Sequence, residues 1–445
     1  MAWVDDDNAS LLTDLYELTM AAAYLQDGFD HEVTFELWVR GLPPQRRFMV
    51  VAGLDTALTY LERLRFTPEA LRYLDSERTF SADFLDYLAD FGFAGTVHAM
   101  PEGTIAYPSE PLMRVTAPVI HAQLVETFLL NALGFQTMIA SKAARMYLAA
   151  RGRRFVDFGS RRAHGADAAL KAARASYIGG AVASSLVLAG TAYGIPITGT
   201  MAHSFVLAHP DEESAFRSFA RTFADDDIVF LIDTYDTVAG ARIAAKVITD
   251  LASEDITVRA VRLDSGDLGD LAVRVRQVLD DAGHTEVGII ASSGLDEHEV
   301  ARLVDGGAPI DGFGIGTSMV TSDDAPSLDI VYKLVDDRGT PRYKASLGKV
   351  TLPGIKQVFR GPDGDVLALA DETFDGHVPL LQPAMVAGER VAAAPPLAEI
   401  RQRALDAIDA LPNEATSLEP RTVDDWPVTV SSSLQRLADS TVPPN

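Results

Sequence analysis

The sequence predicts an α/β protein: a series of parallel β/α units, as in a barrel or a doubly wound sheet, between two α+β segments that can pair as one discontinuous domain. Three observations carry that reading. Between about residues 120 and 328, short apolar runs alternate with helical segments roughly every thirty residues, the pattern of parallel strands with helical crossovers. On both sides of this window the texture changes to alternating strands and turns. Several apolar runs end in glycine, small polar or charged residues, which is where barrels of this class keep their sites.

Taken in order, residues 9–27 carry apolar positions at helical spacing, with Thr13 or Asp14 as cap, Gly28 as stop and Tyr16 in the first turns. Val33-Thr-Phe-Glu-Leu-Trp-Val-Arg40 alternates as a strand does. An apolar run at 48–54, a helix at 58–64 and short aromatic, glycine-punctuated strands over 85–115 complete the first part of the α+β domain, residues 1–119. The barrel domain, 120–328, opens with an amphipathic segment at 121–133 and a helix at 141–150. Strand-like runs follow at 154–158, 195–199, 228–232, 258–263, 287–291 and 310–313, separated by helical segments such as 238–251, 270–282 and 297–304. The number of runs suits a barrel or a doubly wound sheet. Residues 329–384 return to the α+β domain: Ile330-Val-Tyr-Lys-Leu-Val, Arg342-Tyr-Lys-Ala and 366–369 read as short strands. Residues 385–445 read as a helical extension, with a helix at 397–411 and a last short helix.

Composition narrows the function. A chain of 445 residues, 47% hydrophobic, holds a sizeable core and two domains or one large one. Its net charge of −25 argues against nonspecific binding to nucleic acid or anionic membranes, which need a basic face. The absence of cysteine removes disulfides, thiolate nucleophiles and cysteine-bound zinc. The acidic Met1-Ala-Trp-Val-Asp-Asp-Asp7 has no secretory n-region or h-region, so the expectation is a soluble cytoplasmic protein. Residues 175–210 contain no Asp, Glu, Lys or Arg, a run long enough for a bilayer. Gly179-Gly180, Gly190 and Gly194-Ile-Pro interrupt it, so it reads as a deeply buried helix, a turn and a strand.

Four constellations carry chemistry. In Val258-Arg-Ala-Val-Arg-Leu-Asp-Ser-Gly-Asp267, alternation puts Val258, Ala260, Arg262 and Asp264 on one face. Two small apolar residues, then a cation and an anion at the exit, suit an inward face opening to a site. Arg262 can grip a phosphate or stack on a ring. Asp264 can accept from ribose hydroxyls, orient a base or hold a metal, and a structural Arg–Asp pair is the plain alternative. In Asp157-Phe-Gly-Ser-Arg-Arg162 an aromatic ring and paired guanidinium groups can sandwich a flat acidic heterocycle or hold phosphates, against the alternative of a solvated basic loop. Gly199-Thr200-Met201-Ala202-His203-Ser204 sets a histidine just past the run 195–199, against the alternative of an ordinary hydrogen-bonded histidine. Ser292-Ser293-Gly294 and Gly312-Phe-Gly-Ile-Gly-Thr317 offer backbone amides and hydroxyls to phosphate oxygens. Other motifs are missing. Gly348-Lys349 is followed by valine, the glycines at 312–316 lack dinucleotide spacing, and Ser160 and Ser265 lack the Gly-x-Ser-x-Gly context.

Together these residues resemble the nicotinate phosphoribosyltransferases. The resemblance runs from Leu12-Thr-Asp-Leu-Tyr-Glu-Leu-Thr-Met20 through Phe35-Glu-Leu-Trp-Val-Arg40, Phe158-Gly-Ser-Arg-Arg162, Gly199-Thr-Met-Ala-His203, Val261-Arg-Leu-Asp-Ser-Gly-Asp267 and Gly312-Phe-Gly-Ile-Gly-Thr317 to Lys349-Val-Thr-Leu-Pro-Gly-Ile-Lys-Gln-Val-Phe-Arg360, with the motifs in the family's order. It implies a type II phosphoribosyltransferase fold, an irregular (β/α) barrel with a discontinuous α+β domain built from the N-terminal and post-barrel segments, and a homodimer with shared active sites. The implied reaction joins nicotinate to 5-phosphoribosyl 1-pyrophosphate, with ATP hydrolysis and Mg²⁺, giving nicotinate mononucleotide for NAD salvage. By the same resemblance His203 is the histidine that ATP phosphorylates. Phe158 and Tyr16 stack on the pyridine ring, Tyr16 coming from the other subunit. Arg161, Arg262 and the catalytic Asp264 line the ring and ribose, Ser184 and Thr200 join the substrate-binding set, and Gly294, Gly314, Gly316 and Thr317 form the 5′-phosphate site. The resemblance does not assign the Mg²⁺ ligands. The chain departs from the family's common Thr-Ser-Asn or Ser-Ser-Asn run at Ala183-Ser184-Ser185-Leu186.

Two alternatives stand beside this one. A nicotinamide phosphoribosyltransferase needs an acceptor for the amide, and the acid-free run 175–210 offers none. A non-catalytic sugar-phosphate-binding barrel accounts for Arg262, Asp264 and the phosphate loops but gives no reason for His203.

Overall fold

Two units make up the chain, residues 1–141 with 327–445 and residues 142–326. The computed structural model describes residues 4–77, 79–344, 351–420 and 426–441. Gly348, Lys349 and Val350 of the sequence motifs, and Ala345 of the expected strand after Arg342, lie outside the described residues.

The first unit is built on a seven-stranded sheet in the order Thr340–Pro341, Ile330–Asp337, Glu32–Val39, Pro111–Pro118, Thr96–Ala99, Gln382–Val386, Glu389–Arg390. Glu32–Val39 is the pivot. It pairs antiparallel with Pro111–Pro118 on one side and with Ile330–Asp337, some three hundred residues on, on the other. The two ends of the chain therefore share one sheet. A four-stranded sheet in the order Val378–Pro379, Lys356–Arg360, Asp365–Leu369, Val428–Val430 extends the same unit. The segment expected as a separate extension after residue 385 thus supplies strands to both sheets, besides its helices Leu397–Asp409 and Ser432–Thr441.

Helix boundaries differ from expectation in three places. The N-terminal helix is a 3₁₀ turn, Ala9–Leu11, followed by Leu15–Gln26, with Asp14 at the N-cap position and Gly28 left-handed at its end. Asp14 does not cap; its carboxylate accepts from Thr127 Oγ1 at 2.9 Å. Part of the stretch read as strands is the helix Ala82–Ala89. The two helices expected at 121–133 and 141–150 are Val119–Leu124 and one continuous helix, Glu126–Ala150. Gly134 interrupts the sequence pattern but not the helix. A Cβ there would lie 3.2 Å from Ile330, so the glycine answers a close approach rather than a turn.

The second unit is a five-stranded parallel sheet in the order Arg154–Asp157, Gly312–Ile315, Gly288–Ser292, Val258–Leu263, Ile228–Leu231. Helices Thr237–Leu251, Leu268–Asp281 and Glu297–Asp305 cross between strands. Each is capped by an aspartate that ends the preceding loop: Asp236 accepts from Ala239 N, Asp267 from Gly269 N and Asp270 N, and Asp296 from Glu299 N. Beyond Arg154–Asp157 the sheet narrows to single parallel bridges, Asp157 to Ser184 and Ser184 to Ile197. These bridges are the irregular part of the barrel.

The expectation of a buried strand at 195–199 fails. Ile195 is buried, but 196–199 are exposed and only Ile197 makes a bridge. Pro196 has no N–H to donate, so the segment pairs through Pro196 O and Thr198 N alone. The reading of 175–210 as deeply buried holds for 175–184 and fails beyond them. Val187 is 67% exposed and Leu207 60%, with Leu188 and Ile197 also exposed. Lack of charge marked an apolar surface, not an interior. Among the described residues no helix is long and apolar enough to cross a membrane.

Candidate active site

The C-terminal ends of four parallel strands open into one cavity of about 680 Å³ in the second unit. Each strand delivers its side chains through the loop that follows it. Ten of the twelve residues expected at the site line it: Phe158, Arg161, Thr200, His203, Arg262, Asp264, Gly294, Gly314, Gly316 and Thr317.

Phe158 leaves Arg154–Asp157 and lies flat against Gly314 of the adjacent strand, where any Cβ would come within 2.5 Å of the ring. Glycine at 314 is thus a condition for the ring's position. Asp157 fixes the turn: one carboxylate oxygen accepts from Gly159 N at 2.8 Å and the other from Ser184 Oγ at 2.8 Å. Burial raises its carboxyl above the usual range, and those two hydrogen bonds oppose the rise. Ser184 is therefore a correction. It is buried and its hydroxyl is committed to Asp157, while its neighbour Ser185 lines the cavity.

Arg262 and Asp264 emerge side by side, as alternation requires. Arg262 Nη1 donates to Thr200 Oγ1, Nη2 lies 3.7 Å from Asp264 Oδ2, and its guanidinium carbon sits 5.9 Å from the centre of the Phe158 ring. Its Nε is buried without a protein acceptor. Burial lowers its affinity for the proton, opposed by Asp264 and Asp233. Asp264 is held from three directions: Oδ1 accepts from Ser292 Oγ at 2.6 Å, Oδ2 faces His203 Nε2 at 3.6 Å, and its backbone N donates to Asp233 Oδ2 at 3.0 Å. His203 opens the short helix His203–Leu207, and its Nδ1 lies 3.1 Å from Thr234 Oγ1. The histidine thus spans from the irregular segment to the loop after Ile228–Leu231.

Two glycine-containing loops complete the wall. Ser293 and Gly294 are both left-handed, at φ 82° and 64°, after Gly288–Ser292. Gly316 precedes the short helix Thr317–Thr321. Successive amides in such turns point the same way and suit an anion.

Tyr16 does not line this cavity. It belongs to the helix Leu15–Gln26 of the first unit and is 47% exposed, with burial and the nearby Glu126, Glu17 and Asp14 holding its phenol protonated. Sequence reasoning missed Asp233, Thr234, Ser185 and Ser318, while Arg162, read with Arg161 as a guanidinium pair, also lines the cavity. Asp233 and Thr234 directly follow the apolar run 228–232, so the end-of-strand rule applied to every run would have found them. Among the described residues no group of three His, Asp or Glu side chains is arranged to hold a metal ion. Asp264 is already shared among Ser292, His203 and Arg262, so the donors do not make a protein-held Mg²⁺ cage.

An aromatic ring beside guanidinium groups, a histidine–aspartate pair and two glycine loops at the strand ends are the groups that suit an enzyme bringing a flat ring to a phosphorylated sugar. Residues 11–134 match the model of the nicotinate phosphoribosyltransferase N-terminal domain, and residues 153–347 that of the nicotinate phosphoribosyltransferase family. A nicotinate phosphoribosyltransferase of Mycobacterium tuberculosis is 49% identical over 431 residues, 96% of this chain and 92% of that protein. One from Bacillus subtilis is 43% identical over 381 residues, 82% of this chain and 77% of that protein. The crystal structure of human nicotinic acid phosphoribosyltransferase superposes with a TM-score of 0.85 at 30% identity, covering 96% of this chain and 99% of that one. The chain belongs to the nicotinate phosphoribosyltransferase family, enzymes of NAD biosynthesis.

Proposed function

We propose that the cavity joins nicotinate to 5-phosphoribosyl 1-pyrophosphate, giving nicotinate mononucleotide and pyrophosphate in cytoplasmic NAD salvage, with ATP hydrolysis coupled through His203. The observation that carries this is the convergence of Phe158, Arg262, Asp264, His203 and the two phosphate loops on one cavity. The pyridine nitrogen attacks ribose C1 as the C1–O bond to pyrophosphate breaks, and the bonding pair leaves with pyrophosphate. Phe158 and Arg262 fix the ring for attack. Asp264 offers negative charge to the ribose as C1 becomes cationic, and Arg161 and Arg262 offer positive charge to the departing oxygens. The glycine loops at 294 and 314–317 hold the 5′-phosphate. Mg²⁺ would enter as the counter-ion of the pyrophosphate and would neutralise charge on its oxygens, since among the described residues no group of three His, Asp or Glu side chains is arranged to hold it.

Nicotinate rather than nicotinamide follows from the wall around Phe158. Arg161, Arg162 and Ser185 supply donors there, and residues 175–210 contribute no acid. A carboxylate gains from such donors, whereas an amide also needs an acceptor.

His203 attacks the γ-phosphorus of ATP, the bond to the β-phosphate oxygen breaks, and ADP leaves. In the tautomer whose Nδ1 donates to Thr234 Oγ1, 3.1 Å away, Nε2 keeps its lone pair, the form a nucleophile needs. The enzyme works as a homodimer in which Tyr16 of one subunit faces the ring in the other. Support comes from the exposed Tyr16, Leu15 and Leu12 and from the apolar surface at Val187, Leu188, Ile197 and Leu207. Incubation with γ-labelled ATP tests the coupling. Acid-labile label should appear on the wild type and vanish in His203→Ala; label that persists in the variant overturns the role.

A further inference from the structure

Outside the cavity but against its wall lies a buried ionic cluster that the reaction as described does not use. Lys142 and Glu297 are each 1% exposed at the side chain, and Lys142 Nζ lies 2.5 Å from Glu297 Oε2, 2.7 Å from Asp324 Oδ1 and 3.5 Å from Asp323 Oδ1. Arg145 Nε, one turn further along the same helix, donates to the other Glu297 oxygen at 2.6 Å. A single buried ammonium thus meets three carboxylates from two separate segments.

Those segments are the two phosphate loops. Glu297 is the first residue of Glu297–Asp305, directly after Ser293-Gly294-Leu295-Asp296, all four of which line the cavity. Asp323 and Asp324 close the turn after Thr317–Thr321. Asp323 also accepts from Ser318 Oγ at 2.8 Å, and both Ser318 and Asp323 line the cavity. Ser293 is a non-glycine residue in the left-handed region, a conformation that persists only where the surroundings enforce it. The two loops come from adjacent strands, but the ladder between those strands ends at Gly314 and Ser292. Past that point the backbone pairing no longer sets the spacing of the loops.

We infer that Lys142 is a positioning residue: its ammonium, through Glu297 on one loop and Asp323 and Asp324 on the other, sets the distance between the two loops that grip the 5′-phosphate of the phosphoribosyl substrate. This rests on the functional reading above. A shared buried cation suits the task because it is short-ranged, bonded from several directions and costly to leave half-paired. Arg145 holds the second Glu297 oxygen, so that carboxylate cannot swing away from Lys142. The Phe158 ring itself is set by contacts that the cluster does not make, Asp157 with Gly159 N and the fit against Gly314.

Steady-state kinetics on Lys142→Met, Glu297→Gln and Asp324→Asn test the inference, with ribose 5-phosphate as a competitive inhibitor. KM for phosphoribosyl pyrophosphate and the inhibition constant of ribose 5-phosphate should both rise at least tenfold in the first two variants and about threefold in Asp324→Asn. KM for nicotinate should stay within twofold. Lys142→Arg, which keeps the charge, should recover part of the loss. Asp324 is partly exposed, so its variant folds and decides the matter if the buried changes do not. Folded variants with an unchanged ribose 5-phosphate constant, or with equal rises for both substrates, overturn the inference alone. A wild type that does not saturate with phosphoribosyl pyrophosphate overturns the functional reading and this inference with it.

Discussion

Asp264 and His203 stand next to one another, yet the proposed reaction gives them different parts. In that proposal Asp264 serves the ribose, with Ser292 and Arg262 beside it, so Asp264→Ala should lower kcat by about 100-fold or more while substrate KM values move little, in the range seen when one preorganised electrostatic partner is removed. An unchanged kcat with a raised KM would make it a binding residue only. His203 Nε2 lies 3.6 Å from Asp264 Oδ2, the oxygen that Arg262 also approaches, but its proposed task is the ATP coupling, so His203→Ala should leave a slow transfer that ATP no longer stimulates. Retained stimulation in an ATP titration contradicts that. Glu17, beside Tyr16, gives a pH signature. Burial outweighs its hydrogen bonds from Thr13 and Thr127 and raises its carboxyl from 4.5 to about 7. The native state then holds a proton that the unfolded state has lost between those values. Its stabilisation is complete below pH 4.5 and is lost as pH rises through about 7. Melting temperature should therefore fall less between pH 5 and 8 in Glu17→Gln than in the wild type; parallel curves would contradict the shift.

At the scale of elements, the loops after the strands carry nearly everything, and this is the part the sequence displays best. Alternation in 258–263 put Arg262 and Asp264 on one face, and glycine-rich exits marked the phosphate loops, because both signals are local. The failures were non-local. The segment 195–199 has a strand's composition, but Pro196 and the narrowing sheet edge leave it one bridge, a fact set by its neighbours. Ser184 was expected among the substrate contacts through the resemblance, and nothing local in the sequence shows that its hydroxyl meets Asp157 while Ser185 lines the cavity. The fit between Gly314 and the Phe158 ring makes a sharp test. Gly314→Ala introduces a methyl 2.5 Å from the ring, an overpacking of about 1–3 kcal/mol that falls on the substrate's stacking partner. Nicotinate KM should rise about tenfold or more, with the phosphoribosyl pyrophosphate KM nearly unchanged. An unaltered nicotinate KM would mean that the ring is not the stacking platform.

For the whole molecule, the discontinuous first unit is the largest feature of the fold, and its two halves share one sheet through Glu32–Val39. That unit carries Tyr16, and the proposed homodimer gives the tyrosine its use. Refolding Tyr16→Ala and His203→Ala chains together should return about one quarter of wild-type ATP-coupled activity, because half the dimers are mixed and each mixed dimer holds one intact site. No return of activity would mean that Tyr16 serves its own subunit. The central claim is the reaction itself. The most direct test is product analysis after the wild-type protein is incubated with phosphoribosyl pyrophosphate, Mg²⁺ and ATP, supplied in parallel with nicotinate or nicotinamide. Nicotinate mononucleotide should form in equal amount with pyrophosphate, faster with ATP than without, and nicotinamide should be turned over far more slowly. A preference for nicotinamide, or binding of phosphoribosyl pyrophosphate with no nucleotide formed from either base, would contradict the account.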